Sequence, residues 1–158
     1  MALGRKRQEV WDGTTERRSP ETVLVVNDEP DACELLVRMI ATSGYRTLGA
    51  TSESDATALM AYDLPRCVVL DLSAGGVGSS LKVLDHIRSH EDHRINTARV
   101  VLCAPTAKNR AFSFQSGADS FLVRPFHLDE LTGQIADVLR RPHDERARHR
   151  RDELARHG

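Results

Sequence analysis

Aromatic side chains are scarce in this chain, at 4% of its residues with a single tryptophan. Any core it builds must therefore be aliphatic, and a slot of stacked rings of the kind that sandwiches a flavin is disfavoured. Long apolar runs are missing too. Nothing approaches the roughly 18 residues of a membrane-spanning helix, and the charged Arg5-Lys6-Arg7 is not followed by the apolar stretch of a secretory signal. Cysteine is sparse: Cys33, Cys67 and Cys103 are odd in number and far apart. That pattern excludes a disulfide framework and fits reduced thiols in a cytoplasmic protein. His86 and His90, with His93 nearby, lack the further ligands a zinc site needs and read as the wet face of a helix.

Charge of one sign is also lacking overall, since the formal net charge is -1. The balance hides an uneven layout. Residues 22–139 carry ten basic and fifteen acidic side chains, whereas residues 140–158 carry seven basic and four acidic. An acidic body suits a cation site and disfavours a nucleic-acid groove there. The arginines of the tail are interspersed with Asp144, Glu145, Asp152 and Glu153, which weakens any field they could offer to nucleic acid or lipid.

Short β-branched runs alternate with segments of helical periodicity. Residues 22–26, 67–70, 99–103 and 120–123 read as strands buried on both faces, and 45–50 as a shorter one. Between them lie helical patterns starting at Asp31, near Ser54 with Ser52 as cap, after Ser80, and over about 107–116. A last helix begins near Leu128. Five strand–helix units predict an α/β fold, a five-stranded parallel sheet with helices on both faces in a three-layer (βα)5 sandwich. Residues 1–20 are expected to form a flexible arm, 21–141 the domain, and 142–158 a charged tail that frays for want of an apolar face. The glycine-rich run after Ser73 lacks the Gly-Lys-Ser/Thr of a phosphate-cradling loop and reads as a flexible connection, with Ser79 or Ser80 capping the next helix.

In open α/β sheets ligands bind at the carboxyl ends of the strands. The first strand ends on Asn27 and Asp28, the third on Asp71, the fourth on Cys103 and the fifth on Arg124. Two carboxylates with a backbone carbonyl and water make an octahedral oxygen site for Mg²⁺. The cation offsets the mutual repulsion of Asp28 and Asp71 and the charge of an incoming phosphoryl group, and Arg124 brings a fixed positive charge to that group.

Val23–Pro30, Val68–Leu72 and Gly117–Phe126, in this order and spacing, resemble the receiver domain of two-component response regulators. The resemblance covers about residues 22–140 and implies a flavodoxin-like fold and a signalling domain rather than an enzyme, at most self-phosphorylating. It also implies that Asp71 accepts a phosphoryl group from a histidine kinase or phosphotransfer protein. Mg²⁺ is then held by Asp28, Asp71 and the carbonyl of Ser73, with Asn27 a weak or water-mediated contributor. Cys103, Arg124 and Phe121 fall where the family keeps its phosphoryl-binding and switch residues, usually a hydroxyl residue, Lys and Tyr. Asn27 stands where the family usually has an acid. The chain thus resembles an atypical member. No segment after about residue 140 is long enough for an output domain, so a stand-alone receiver is expected. Its downstream protein contacts would run through the fourth helix, last strand and fifth helix, without membrane or nucleic acid. Two alternatives stay open: an interaction module that works without phosphorylation, and a flavodoxin-like nucleotide or flavin binder using the glycine loop.

Overall fold

The computed structural model describes residues 21–73 and 77–157. The expected arm 1–20 and the centre of the glycine loop, 74–76, lie outside the described residues. Five strands, β1 (Thr22–Val26), β2 (Arg46–Ala50), β3 (Cys67–Leu70), β4 (Arg99–Ala104) and β5 (Ser120–Val123), form one parallel sheet in the order β2-β1-β3-β4-β5. Val23–Val26, all of β3 and Val100–Ala104 are buried. Successive side chains point to opposite faces, so these runs feed two cores at once. On one face Leu24, Val26, Leu70 and Leu102 meet α2 (Glu53–Asp63) and α3 (Val77–Arg88), with Phe114 of α5 (Arg110–Gln115) closing that layer. On the other face Val25, Val69 and Val101 meet Cys33 and Ile40 of α1 (Pro30–Ala41) and Leu131, Ile135 and Val138 of α6 (Leu128–Arg140).

Local chemistry sets the ends of these elements. Pro30 occupies the first turn of α1, where a missing N–H costs nothing. The Ser52 hydroxyl accepts the Asp55 N–H at 3.1 Å and caps α2. Ser80 is not a cap. It lies inside α3, and its buried hydroxyl accepts the Leu72 N–H at 3.4 Å, tying the helix to the end of β3. A one-turn helix, α4 (His93–Asn96), precedes β4 and escaped the sequence reading because four residues carry no period. Leu35 of α1, although apolar, faces solvent at 56% exposure.

The larger correction concerns the tail. Residues 142–158 do not fray for want of a face: His143–His157 form a helix, α7, that packs across α5. The first turns of its inner face are held by arginine, with a lone aliphatic contact at Leu154 further on, which is why the apolar pattern gave no sign of it. Arg146, almost wholly buried, donates from Nε and Nη2 to the two oxygens of Asp119 at 2.9 and 3.0 Å. Asp119 also accepts from Arg88 of α3 at 2.9 Å, from the Val100 N–H at 2.9 Å and from Arg150 at 3.4 Å. Arg88 further donates to the carbonyls of Gly117, Asn96 and Ala98. Gly117 is required here on two counts. Its φ is +107°, and a Cβ would meet Arg88 Nε at 2.9 Å. Further along α7, the His149 ring stands edge-on to Phe114 at 6.3 Å, and Leu154 packs on the first core.

Candidate functional site

β1 and β3 pair in register with Val26 opposite Leu70, so Asn27 and Asp71 leave the sheet side by side. This is the point where the strand order reverses, the expected crevice of a doubly wound sheet. The Asp71 N–H donates to the Val26 carbonyl at 2.8 Å and fixes the start of the turn. From the far side of β4, the Arg124 guanidinium reaches Asp71 and donates from Nη1 to Oδ1. The other carboxylate oxygen, Oδ2, accepts from the Asn27 amide at 3.1 Å. That amide is oriented by its own oxygen, which accepts the Glu29 N–H at 2.8 Å. Asp28 turns to the next loop, where its Oδ1 accepts both the Ser73 N–H and the Ser73 hydroxyl at 3.0 Å. Around these groups an open cavity of ≈190 Å³ is lined by Asn27, Glu29, Ala32, Asp71, Ser73 and Arg124. Sequence-predicted Asp71, Asn27, Asp28, Ser73 and Arg124 are therefore all brought to one edge.

Asp71 is 6% exposed. Burial raises its pKa above the ordinary carboxylate value; the charge and hydrogen bond of Arg124 and the Asn27 amide oppose that rise, and Asp28 adds to it. The net direction is upward, so this carboxyl keeps a basic oxygen while staying paired to a cation. The two acids set the metal-binding capacity of the edge. The Asn27 oxygen is committed to a backbone N–H, and among the described residues no group of three or more Asp, Glu, His or Cys side chains is gathered as a metal cluster. A hard cation here would have the carboxylates of Asp28 and Asp71 and the Ser73 carbonyl, with water completing the shell, a donor set of reduced charge.

Of the remaining two predicted residues, Cys103 stands one step past the Leu70–Leu102 pair, beside Asp71, whereas Phe121 does not join them. Phe121 and Cys103 lie on opposite faces of the sheet. Cys103 packs in the second core with Val101, Leu122 and Leu131, fully buried, while Phe121 packs in the first. Burial pushes the Cys103 thiol well above its usual pKa, with the Asp71 charge adding to the rise and Arg124 opposing it. A neutral, enclosed thiol is a sluggish nucleophile and, through its S–H, a weak hydrogen-bond donor. The residue at the end of β4 that shares a face with Phe121 is Ala104, which carries no hydroxyl. Side-chain parity here follows from the register of β4 with its neighbours, Leu70 opposite Leu102 and Leu102 opposite Phe121. Arg110 of α5 lies over the Phe121 ring at 5.0 Å from its centroid, a cation–π contact that nothing in the sequence pattern singled out. The surface expected for partner contact corresponds to α5, β5 and α6, and α7 covers part of it through α5.

Among the described residues no helix is long and apolar enough to cross a membrane. Residues 23–136 match the family model of the response regulator receiver domain. Response regulator MprA of Mycolicibacterium vanbaalenii is 32% identical over 122 residues, covering 77% of this chain and 52% of that protein. Transcriptional regulatory protein PrrA of Mycobacterium tuberculosis is 30% identical over 123 residues, covering 75% and 50%. The chain spans about half the length of these curated relatives. Among solved structures, response regulator TrrA from Thermotoga maritima in complex with Mg²⁺-BeF superposes with a TM-score of 0.64 at 28% identity, over 75% of this chain and 98% of that one. Chemotaxis response regulator CheY4 of Vibrio cholerae gives 0.65 at 16% identity, over 75% and 98%, a likeness of fold.

Proposed function

The chain belongs to the response regulator receiver family, and from that membership we propose that it serves two-component signalling by accepting a phosphoryl group on Asp71 with Mg²⁺ present. The observation that carries the proposal is the Asp71 carboxylate in an open cavity, paired to Arg124 from the end of β5 on the same edge. Phosphoryl transfer needs little covalent chemistry from the protein beyond positioning and charge. An Asp71 oxygen attacks phosphorus in a kinase phosphohistidine, the P–N bond breaks, and the imidazole leaves with the electron pair. Arg124 then moves from the carboxylate to the phosphoryl oxygens, a short shift for a planar donor that serves both anions. Asp28, Asp71 and the Ser73 carbonyl would hold the Mg²⁺, which would supply charge neutralisation there.

A second reading rests on its own observation. The Asn27 amide already donates to Asp71, and Cys103 beside Asp71 offers a buried, weakly donating thiol in place of a hydroxyl, so a phosphoryl group would find fewer strong donors to move. This reading is an interaction module that works unmodified. Incubation with Mg²⁺ and acetyl phosphate, followed by intact mass, separates the two. A gain of one phosphoryl mass that Asp71→Asn abolishes supports phosphoryl acceptance. An unmodified mass, together with no berylliofluoride-induced NMR shifts at Asp71 and Arg124, sinks it and leaves the second reading.

A further inference from the structure

At the opposite edge of the sheet, a cavity of ≈330 Å³ opens between the end of α3, the α4 turn and the first two turns of α7. Arg88, Arg146 and Arg150 line it, with the rings of His93 and His143 6.4 Å apart at its rim. Three guanidinium groups here contact one carboxylate, that of Asp119. The excess is two positive charges in a place where burial and mutual repulsion both act. Arg88 is pulled down to about 10 by burial, with Asp119 opposing the fall and Arg146 and Arg150 adding to it. Arg150 is lowered by burial too, Asp119 again opposing and Arg146 adding.

Hydrogen bonding tells the same story. Five N–H groups converge on the two Asp119 oxygens, which have about four lone-pair sites between them. Arg150 takes the longest of these contacts, at 3.4 Å, and among the described residues Asp119 is its one hydrogen-bond partner. The same side chain lines the cavity. A clamp that served only to hold α7 would need one arginine per carboxylate; the second arginine of α7 adds charge without a matching acceptor.

We infer that this cavity is a binding site for a phosphate-type dianion, held by Arg150 at its floor and by His93 and His143 at its rim. Two negative charges match the excess, and tetrahedral oxygens accept from a guanidinium fork and from imidazole N–H together. The volume exceeds that of inorganic phosphate, so a small phosphomonoester is accommodated as well. This site is independent of Asp71 and lies at the amino ends of the strands.

The test is an NMR titration of the full chain, labelled with ¹⁵N, using inorganic phosphate and a small alkyl phosphate at matched ionic strength in sodium chloride. Saturable shifts are expected in the Arg150 side chain and the His93 and His143 rings, with roughly millimolar or tighter affinity. Tighter binding of the alkyl phosphate would assign an ester as the ligand, and equal binding free phosphate. Arg150→Ala should weaken the affinity about tenfold, since it removes charge-assisted hydrogen bonds. The paired change His93→Gln with His143→Gln, at two exposed positions, should weaken it about threefold without affecting folding. Linear shifts equal to those from sodium chloride, shifts confined to Ser73 and Arg124, or unchanged affinity in the histidine variant would each overturn the inference.

Discussion

Replacing Asp119 by Asn isolates the buried ion cluster from everything else in the domain. The carboxylate is 1% exposed, and two of its three arginines are well enclosed, with side-chain exposures of 5% for Arg146 and 20% for Arg88. Asn keeps the shape but removes the charge and points an NH₂ group at guanidinium donors. Breaking a buried pair while leaving its partner behind costs about 3–5 kcal/mol. Arg150, a quarter exposed and at 3.4 Å, adds little to that figure. For a domain of this size the loss lowers Tm by ~10–20 °C. The cost has a defined pH dependence. Burial works to raise the Asp119 pKa, but the hydrogen bond and charge of Arg146, the charge of Arg88 and the Val100 N–H overcome it and hold the group below the carboxylate range. A depressed native pKa means the stabilisation is complete above the unfolded value, ~3.9, and is lost as pH falls through the native one. Urea unfolding followed by far-UV circular dichroism should therefore show a constant gap between native and Asp119→Asn protein from pH 5 to 8, narrowing below about pH 4. Arg46→Ala, which breaks the surface pair with Asp63, is the control and should cost about 1 kcal/mol or less. A gap under about 1 kcal/mol at pH 7, or one that does not narrow in acid, would refute the reasoning.

Three further outcomes are expected. Ending the chain at Arg141 removes Arg146, Arg150 and the cover on Phe114 and should cost roughly 2–4 kcal/mol; an unchanged urea midpoint would show that α7 holds nothing. Asn27→Asp replaces an amide donor by a third carboxylate and should tighten Mg²⁺ roughly tenfold in an NMR titration, since ligand charge sets affinity for hard cations; equal titrations would mean that Asn27 is remote from the cation. Ala104→Thr places a hydroxyl on the face of Phe121 and should enlarge mimic-induced shifts in α5 and β5. Cys103→Thr buries a hydroxyl at a cost of about 1–3 kcal/mol where it finds no partner, and larger mimic-induced shifts in this variant than in Ala104→Thr would make Cys103 the switch position.

Much of the fold was legible because its strands are buried on both faces and so read as unbroken β-branched runs, as in Val23–Val26 and Cys67–Leu70. Strand ends then located Asn27, Asp28, Asp71 and Arg124 without any contact map. What stayed hidden depended on partners distant in sequence. Cys103 and Ala104 are adjacent, and only the register of β4 against β5 decides which one shares a face with Phe121. Asp119 looked like an ordinary turn acid until three arginines from two helices met it. The helix α7 offered no apolar period, because its buried face is polar and satisfied by that single acid and by the carbonyls of Thr97 and Ala98.

The parallel sheet has two unlike rims. One presents Asp71, Asn27 and Arg124 around an open cavity; the other locks α3, β4, β5 and α7 together through Asp119. Integrity and reactivity are thus housed a strand's length apart. A substitution at the first rim therefore leaves the second, and with it the packing of α7 on the domain, untouched. The chemistry around Asp71 and the persistence of the scaffold are separate variables in this chain.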